Sequence, residues 1–273
     1  CIFGDTNSEK EVYLVGGSHA EQYSSALDRL GREMGFKLVP LLRQGCPIEL
    51  GDDVTVSPEC AEWGELVMDR IAEAQPELVI SNTTRPQNEF GHGPDAVPAG
   101  YQAFWDELSK RDIPFLGFRD NPWGFDEDGE PREFDECYVA TEDAVGCGMR
   151  FEEVYQPYDP GAVVLSQYEN MLSLDTAPWF CDANGDCPVI IGNTMVYRDM
   201  HHITNAFADS AMPMIREALT PFLNGEKVQQ EAPEISPEEA EAALEESPAS
   251  PTTGGTRRAN PVPYPNTPEN DPV

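Results

Sequence analysis

The sequence predicts an α/β fold in which helices cover both faces of a central parallel sheet. Short runs of aliphatic residues alternate with amphipathic segments at least three times before Asp120. Strands that alternate with helices are typical of a parallel sheet, because each parallel pair needs a long crossover connection. The chain has 273 residues, of which 40% are hydrophobic, and this is enough for one substantial core. In such a sheet we expect a functional site at the carboxyl ends of the strands.

The elements before Asp120 each have a local signal. The predicted strands are short apolar runs: EVYLVG (11–16), KLVPLL (37–42), ELVISN (77–82) and IPFLGFRD (113–120). The predicted helices have apolar residues at helical spacing: AEQYSSALDRLGREMGF (20–36), which ends at Gly35, CAEWGELVMDRIAEAQP (60–76), which Pro76 closes, and YQAFWDELSKRD (101–112).

The second half of the chain is less regular. The acidic stretch from Asn121 to Pro160 contains two cysteines, so we expect an ordered excursion there. GAVVLSQ (161–167) is predicted as a strand, and VIIGNTMVYRD (189–199) as two short strands about Gly192-Asn193. TNAFADSAMPMIREALTPFL (204–223) has an apolar stripe and is predicted as the final helix, with a kink at Pro213.

The composition changes after Gly225 and divides the chain into two parts. Residues 1–225 are predicted to form one globular domain. Residues 226–273 are rich in Pro, Glu, Ser and Thr, and Tyr264 is their only aromatic residue. Such a segment buries too little apolar surface to offset the loss of chain entropy. We therefore expect a disordered, acidic, proline-rich tail.

The charge of the chain excludes some classes of partner. There are 50 acidic and 17 basic residues, and the formal net charge is -33. This surface repels nucleic acid and anionic lipid headgroups, so we expect neither as a partner. No run of about 18 apolar residues is present, so the sequence contains no membrane-spanning segment. The chain begins at Cys1 without Met, and we expect a fragment or a processed chain.

The seven cysteines favour an oxidising compartment. Six of them form three pairs that are close in sequence: Cys46 with Cys60, Cys137 with Cys147, and Cys181 with Cys187. No pair has the CxxC spacing of a zinc site or a redox motif, so we expect three local disulfides. The alternative is free buried thiols in a cytosolic protein. Cys1 is unpaired, and we expect its partner upstream of this chain.

The acidic loops do not complete a metal site. DEDGE (126–130) and DANGD (182–186) resemble the start of a calcium loop, but neither continues to the carboxylate that such a loop needs at position twelve. We therefore predict no metal and no cofactor.

Ser18 stands where the first strand is predicted to give way to the first helix. Gly16 and Gly17 allow a tight turn and leave the serine uncovered, and backbone N–H groups at a helix start can stabilise an oxyanion. The alternative is a helix cap, because serine is among the preferred N-cap residues.

Asp199 and His202, in YRDMHHIT, supply the groups that a nucleophilic serine needs. A general base must reach the serine, and a third group must orient that base. An aspartate three residues before a histidine is able to orient the imidazole through Nδ1. The alternative is a surface aspartate beside a histidine that starts a helix.

GGSHA and DMHH together resemble the SGNH/GDSL hydrolase family, in which a Gly-Asp-Ser block follows the first strand and an Asp-x-x-His block comes late. The resemblance implies a three-layer α/β/α sandwich, a flavodoxin-like SGNH fold with a central parallel sheet. It implies Ser18 as nucleophile, His202 as general base and Asp199 as the residue that orients it. His201 would be the base only if the register of the loop were shifted.

Two further blocks of this family supply oxyanion donors, and both have counterparts here. LLRQGCP offers Gly45 after the second strand, and LVISNTTRP offers Asn82 after the third. The resemblance implies an oxyanion hole made of the Ser18 N–H, the Gly45 N–H and the Asn82 amide. The alternatives are a bend before Cys46 for the glycine and a turn residue for the asparagine. Gly17 departs from the family, which usually has Asp there, and this leaves the turn geometry and substrate preference open.

A narrower resemblance rests on CIFGD, SHA, CP, RDNPW and DTAPWFCDANGDCPVIIGNTMVYRDMHHIT taken together. Over about Cys1 to Leu223 the chain resembles the extracytoplasmic C-terminal SGNH domain of integral-membrane O-acyltransferases of the O-acetylase type, as in actinobacteria. The resemblance implies an acyl donor delivered by an upstream membrane domain, and a glycan or glycolipid acceptor such as a trehalose mycolate. It also implies a location in the cell envelope, tethered to the plasma membrane. We expect the isolated domain to be monomeric.

The function predicted from these residues is serine-dependent O-acyl transfer, of acetyl in the first instance, to a hydroxyl of an envelope glycan or glycolipid. A carbohydrate esterase with the same triad is one alternative, and a non-catalytic glycan-binding domain is another. His92 and Arg85 are candidate substrate contacts, and the alternatives are a surface histidine for His92 and an ion pair at a strand end for Arg85. Arg119 and Asp120 are further polar candidates, although ion pairs at strand ends explain them equally well. His19 is expected to have a structural role.

Overall fold

A computed structural model of the chain describes residues 1–87, 91–126 and 128–237. Within these ranges the strands are β1 (Phe3–Gly4), β2 (Glu11–Gly16), β3 (Lys37–Leu42), β4 (Leu78–Asn82), β5 (Arg85–Pro86), β6 (Asp95–Ala96), β7 (Phe115–Phe118), β8 (Met149–Arg150), β9 (Met171–Leu174), β10 (Asp186–Cys187), β11 (Ile190–Ile191) and β12 (Thr194–Met195). The helices are α1 (Ser18–Glu21), α2 (Ser24–Met34), α3 (Pro58–Ala74), α4 (Ala99–Ser109), α5 (Phe134–Thr141), α6 (Phe151–Val154), α7 (Pro160–Leu165), α8 (Ala177–Phe180), α9 (Asn205–Ser210) and α10 (Met212–Leu223).

The centre of the molecule is a six-stranded sheet in the order β1-β3-β2-β4-β7-β9. Its five longer strands run parallel, and only the two-residue β1 pairs antiparallel with β3. The four strands predicted before Asp120 are β2, β3, β4 and β7. All four lie in this sheet, and each carries a candidate site residue at or within three residues of its carboxyl end: Ser18, Gly45, Asn82 and Asp120.

β2 shows how the sheet separates two buried layers. Successive side chains along a strand point to opposite faces. Val12 and Leu14 accordingly belong to one apolar cluster, and Tyr13 and Val15 belong to the other. Buried residues of α2, α9 and α10 complete the first cluster, and those of α3 and α4 complete the second. The three-layer α/β/α prediction is confirmed.

The prediction of a strand at residues 161–167 is wrong. This stretch forms the helix α7, which Asp159 caps by accepting a hydrogen bond from the Gly161 N–H at 2.8 Å. All six residues of α7 are buried. A short run that is apolar on every side has no periodicity to distinguish helix from strand, which is why the pattern misleads. The edge strand of the sheet is β9, which follows a few residues later.

The first and last predicted helices are each divided in two. The first becomes α1 and α2, and the last becomes α9 and α10 with a break at Ala211. The predicted kink at Pro213 is therefore displaced. Pro213 lies in the first turn of α10, where a missing backbone N–H costs nothing, so it starts a helix instead of bending one.

All three predicted cysteine pairs are disulfides: Cys46–Cys60, Cys137–Cys147 and Cys181–Cys187. Cys1 is exposed and carries a free thiol. Each disulfide closes a short loop of the chain, with sequence separations of 14, 10 and 6 residues.

The globular domain extends beyond the predicted boundary at Gly225. The Asn170 N–H donates to the Val228 carbonyl at 2.9 Å, and the Val228 N–H donates to Asn170 Oδ1 at 3.2 Å. The Ser173 N–H donates to Gln230 Oε1 at 2.9 Å, and Val228 packs against the core. These contacts satisfy groups at the open edge of β9, so residues 226–231 belong to the domain. The predicted tail from residue 238 onward lies outside the described residues.

None of the helices in the described ranges combines the length and the apolar character that crossing a bilayer requires.

We expect truncation after Gly225 to lower the free energy of unfolding by about 2–4 kcal/mol relative to truncation after Pro237. The shorter chain loses three edge hydrogen bonds, each of which contributes about 1 kcal/mol net, together with the packing of Val228. Urea denaturation of both chains with intact disulfides measures the difference. Equal unfolding midpoints would show that residues 226–237 add nothing to the domain.

Candidate active site

The candidate site lies along the carboxyl edge of three neighbouring strands. Ser18 follows β2, Asn82 ends β4, and Asp120 follows β7 closely. The order of these strands in the sheet is β2-β4-β7, so their ends lie side by side. This is the edge at which a parallel α/β sheet is expected to bind ligands.

The turn that carries Ser18 depends on Gly16. Its φ of +135° is a backbone conformation that side chains disfavour, and a Cβ there would lie 3.1 Å from the Cβ of Ala20. Ser18 is the first residue of α1, and Gly17 occupies the N-cap position without a side-chain bond. Ser18 therefore does not cap this helix. Its hydroxyl instead lies 2.7 Å from Nε2 of His202.

His202 is held by Asp199 on the other side of its ring. Nδ1 lies 2.8 Å from Asp199 Oδ2 and 3.0 Å from Oδ1. A carboxylate only accepts, so Nδ1 carries the proton and the lone pair of Nε2 faces Ser18. The alternative of a helix-start histidine does not hold, because α9 begins at Asn205 with Thr204 as its cap.

Asp199 remains ionised in this environment. Burial raises the pKa of its carboxyl, but hydrogen bonds from the His202 ring and from two backbone N–H groups outweigh burial. The backbone donors are His201 at 2.9 Å and His202 at 2.8 Å. The pKa of Asp199 therefore lies well below its ordinary value. A carboxylate that stays charged can stabilise an imidazolium on His202.

A second chain of hydrogen bonds runs beside the first. Asp120 Oδ1 lies 2.8 Å from His19 Nδ1, and His19 Nε2 lies 2.9 Å from His201 Nδ1. The His19 ring also stacks on Trp123, with centroids 4.6 Å apart. Burial first, and then the neighbouring imidazoles of His19 and His202, lower the pKa of His201 to about 3. His201 therefore bonds to His19, and it is His202 that lies against Ser18.

The Asp120 carboxylate accepts several hydrogen bonds, and a simple ion pair at the end of a strand does not account for all of them. Its Oδ2 accepts from Trp123 Nε1 at 3.0 Å, and its Oδ1 accepts from the Asn121 N–H at 3.0 Å. The side chain is only 3% exposed, so these bonds are what makes its burial tolerable. The Tyr155 hydroxyl donates to the backbone carbonyl of Asp120 at 2.9 Å. Asp120 lies in the RDNPW block, but no local pattern shows its bond to His19, which is 101 residues away in sequence.

Two buried amides fasten the loop that carries the histidines. Asn121 Nδ2 donates to the His201 carbonyl at 2.7 Å, and its Oδ1 accepts from Gln22 at 2.7 Å. Gln22 Oε1 in turn accepts from the Ile203 N–H at 3.0 Å. The loop is therefore bonded both to the segment after β7 and to the turn that follows Ser18. Sequence reasoning did not identify either amide.

The other two residues expected in the oxyanion hole follow or end the strands on either side of β2: Gly45 comes after β3, and Asn82 ends β4. Gly45 is exposed, has a φ of +72°, and directly precedes Cys46, whose backbone lies against Gly17. Asn82 is buried, and its Nδ2 makes a long bond of 3.5 Å to Asp120 Oδ1.

Gly17 has a steric explanation. A Cβ at this position would lie 3.3 Å from the carbonyl carbon and oxygen of Cys46 and 3.4 Å from its nitrogen. These distances are tighter than ordinary contacts, so any side chain requires the loop to move. The loop is held on its other side by the Cys46–Cys60 disulfide, and the Arg43 N–H bonds to the Gly16 carbonyl at 3.0 Å. Glycine at 17 allows the loop before Cys46 to approach the turn of Ser18.

The two candidate substrate contacts flank an aromatic cluster beside the histidines. Arg85 lies over the Trp123 ring, with its guanidinium carbon 5.7 Å from the centroid. His92 Nδ1 lies 2.9 Å from the carbonyl of Phe125, whose ring is 6.0 Å from that of His201. Arg119 is different, because it is buried in a bidentate ion pair with Asp95 at 2.8 and 2.9 Å. It is a structural residue.

Residues 1–217 match the family model described as an SGNH domain fused to AT3 domains. The chain belongs to this SGNH family. No curated protein sequence matches the chain significantly. Among solved structures, the SGNH chain is similar to the periplasmic domain of a lipopolysaccharide acetyltransferase from Salmonella ser. Paratyphi A. The TM-score is 0.56 at 12% identity, over 79% of this chain and 85% of that one, and this likeness shows a shared fold.

We expect Gly17→Ala to lower kcat for p-nitrophenyl acetate by about 10-fold and Gly17→Asp by about 100-fold, since misplacement by 1 Å costs about that much. The larger side chain should push the Cys46 loop further from Ser18. Melting temperatures measured in parallel control for unfolding. An Asp variant as active as the wild type would show that the contact with Cys46 does not limit the site.

Proposed function

We propose that this SGNH domain is a serine-dependent O-acyltransferase. It moves an acyl group, acetyl in the first instance, to a hydroxyl of a cell-envelope glycan or glycolipid. The observation that supports this most directly is the unbroken hydrogen-bonded chain from Ser18 through His202 to Asp199 at the carboxyl edge of the sheet. A serine with its base in contact, and a base with its orienting carboxylate in contact, is the arrangement that acyl transfer needs.

In the first step Ser18 takes the acyl group. His202 Nε2 accepts the hydroxyl proton while Oγ attacks the carbonyl carbon of an ester or thioester donor. The bond from that carbon to the leaving oxygen or sulfur then breaks, and the leaving group takes the proton from His202. Asp199 stabilises the imidazolium that exists between these two proton transfers.

In the second step the acceptor takes the acyl group. His202 accepts the proton of an acceptor hydroxyl, whose oxygen attacks the acyl carbon. The bond to Ser18 Oγ breaks, and the serine regains its proton from His202. Water in place of the sugar hydroxyl gives hydrolysis, so a carbohydrate esterase would use the same residues.

The negative charge on the carbonyl oxygen needs donors in both steps. We assign this role to the backbone N–H groups of Ser18 and Gly45 and to the Asn82 amide. The support is their location at the ends of β2, β3 and β4 beside the nucleophile. Loss of one such donor lowers kcat by about 10²–10³-fold. His92 and Arg85 are proposed to contact the acceptor, since both border the aromatic cluster next to His201.

The family points to the source of the acyl group. Members of this family are SGNH domains fused to AT3 domains. We propose that an integral-membrane acyltransferase domain upstream of Cys1 delivers the acyl group, and that this domain works on the outer side of the plasma membrane. Three disulfides fit an oxidising compartment, and the similar Salmonella domain is described as periplasmic. More specifically, we propose that the protein comes from an actinobacterium and that its acceptor is a trehalose mycolate. We also propose that the isolated domain is monomeric.

We expect Ser18→Ala to lower kcat/KM for p-nitrophenyl acetate by at least about 10³-fold, because no other group replaces the nucleophile. Ser25→Ala, on α2, is the matched control and should keep wild-type activity. Active-site labelling with a fluorophosphonate should modify the wild type at Ser18. Equal activity of wild type and Ser18→Ala, with no label on Ser18, would favour a non-catalytic glycan-binding domain.

Product analysis separates transfer from hydrolysis. The protein that includes its upstream membrane domain is supplied with an acyl donor and either a trehalose glycolipid or peptidoglycan fragments. We expect an O-acylated acceptor whose formation requires Ser18. Free acetate as the sole product would contradict transfer and favour the esterase.

A further inference from the structure

We propose that His19, His201 and His202 form a binding site for Zn²⁺, and that the bound ion reversibly blocks the serine chemistry. Each of the three side chains offers one ring nitrogen, and the three nitrogens all lie within 4.8 Å of one another. Within the part of the chain that the structure describes, no other group of three or more His, Cys, Asp or Glu residues has this arrangement.

Two of the three imidazoles are already oriented as zinc ligands are. His19 places Nδ1 on Asp120, and His202 places Nδ1 on Asp199, each at 2.8 Å. The carboxylates fix the proton on Nδ1 and leave a lone pair on Nε2. A carboxylate behind a histidine is the arrangement that orients ligands in zinc proteins and raises their basicity.

His201 supplies the third nitrogen from within the same cluster. Its Nδ1 lies 2.9 Å from His19 Nε2, and its ring centroid is 3.9 Å from that of His202. Nitrogen ligands at about 2.0–2.1 Å from a tetrahedral zinc lie roughly 3.3–3.4 Å apart. To share an ion, the His19 and His201 nitrogens need to separate by about 0.4 Å and their rings need to turn toward the ion. His202 Nε2 needs to leave Ser18 and join them, starting from a cluster in which the three nitrogens lie within 4.8 Å of one another.

The three histidines can bind the ion while each ring stays neutral, if His201 changes its tautomer. In the hydrogen-bonded chain the His201 proton lies on Nδ1, because His19 Nε2 has no proton to give. On binding through Nδ1, His201 carries this proton on Nε2 after exchange with solvent. Three neutral imidazoles then bind the ion, and water takes the fourth position of the tetrahedron. The Ser18 hydroxyl loses its partner, because His202 Nε2 now binds the metal.

The chemistry of the cluster selects the metal. Imidazole nitrogen suits Zn²⁺ and its neighbours in the transition series, whereas Ca²⁺ and Mg²⁺ require oxygen ligands. The carboxylates of Asp120 and Asp199 lie behind the rings and offset the charge of the ion. The formal charge of -33 also raises the local concentration of any dication.

The expectation that no metal binds came from the acidic loops and from the spacing of the cysteines. His19 and His201 are 182 residues apart in sequence, so no spacing motif joins them. The fold brings them together because the loop before α9 lies against the turn after β2. The binding claim stands by itself, whereas the inhibition claim rests on the proposed function of Ser18 and His202.

The test is a titration of the untagged full chain with Zn²⁺, followed by calorimetry, and with Co²⁺, followed by its visible absorption. We expect one bound ion per chain and the absorption of tetrahedral cobalt. His201→Asn should weaken Zn²⁺ binding by at least about 10-fold, and Asp120→Asn by about 10-fold through loss of its support to His19. His92→Asn, a histidine outside the cluster, should bind like the wild type. Circular dichroism checks that each variant is folded.

The activity arm uses p-nitrophenyl acetate. Zn²⁺ at concentrations that saturate the wild type should abolish hydrolysis, and EDTA should restore it. His201→Asn should need at least about 10-fold more Zn²⁺ than the wild type for half-maximal inhibition, because its site is weakened by that factor.

The outcomes separate the two proposals. An active chain that binds no Zn²⁺, or that binds it equally in His201→Asn, overturns the metal site and leaves the proposed function intact. A chain that binds one Zn²⁺ through His201 but never hydrolyses the ester supports the metal site and removes the proposed function. Binding through His201 without inhibition overturns the claim that the ion blocks His202.

Discussion

The buried carboxylate of Asp120 is the group on which the arrangement of the candidate site most depends. A charge at this depth is tolerated only when its oxygens are fully hydrogen-bonded. His19, in the helical turn that begins at Ser18, is one partner of the Asp120 carboxylate, and Trp123, in the same loop as Asp120, is another. His19 then holds His201, which lies next to His202. One carboxylate thus links the turn that carries Ser18 to the loop that carries the two histidines.

The Ser18–His202 and His202–Asp199 hydrogen bonds are supported from two sides. On one side, Gln22 and Asn121 join the histidine loop to α1 and to the end of β7. On the other, Gly17 lets the disulfide-anchored Cys46 backbone touch the Ser18 turn. The proposed acyl transfer requires preorganisation of this kind, because it lets a nucleophile, a base and oxyanion donors act without rearrangement. Glycine at position 17, where the family usually has Asp, is therefore explained by its close packing against the Cys46 backbone.

Local signals were sufficient for the four parallel sheet strands before Asp120 and for the disulfides, and the family resemblance of two compact motifs brought Ser18, His202 and Asp199 together. Each rests on an apolar run, a short cysteine spacing or a compact motif. Long-range contacts decide the rest. The buried α7 has no periodicity, and β9 with residues 226–231 is recognisable only once the sheet edge exists. The Asp120–His19–His201 chain joins three distant positions, so neither its bonds nor its capacity for a metal was visible beforehand.

The central claim is that the acyl group passes through Ser18, and trapping that intermediate tests it most directly. The protein is mixed with p-nitrophenyl acetate, quenched in acid during turnover, digested and examined by mass spectrometry. The account predicts an acetyl group on Ser18 that disappears when a competent sugar acceptor is added before the quench. Turnover in which Ser18 stays unmodified would contradict the account. So would an acetyl group on another residue that disappears when the sugar acceptor is added.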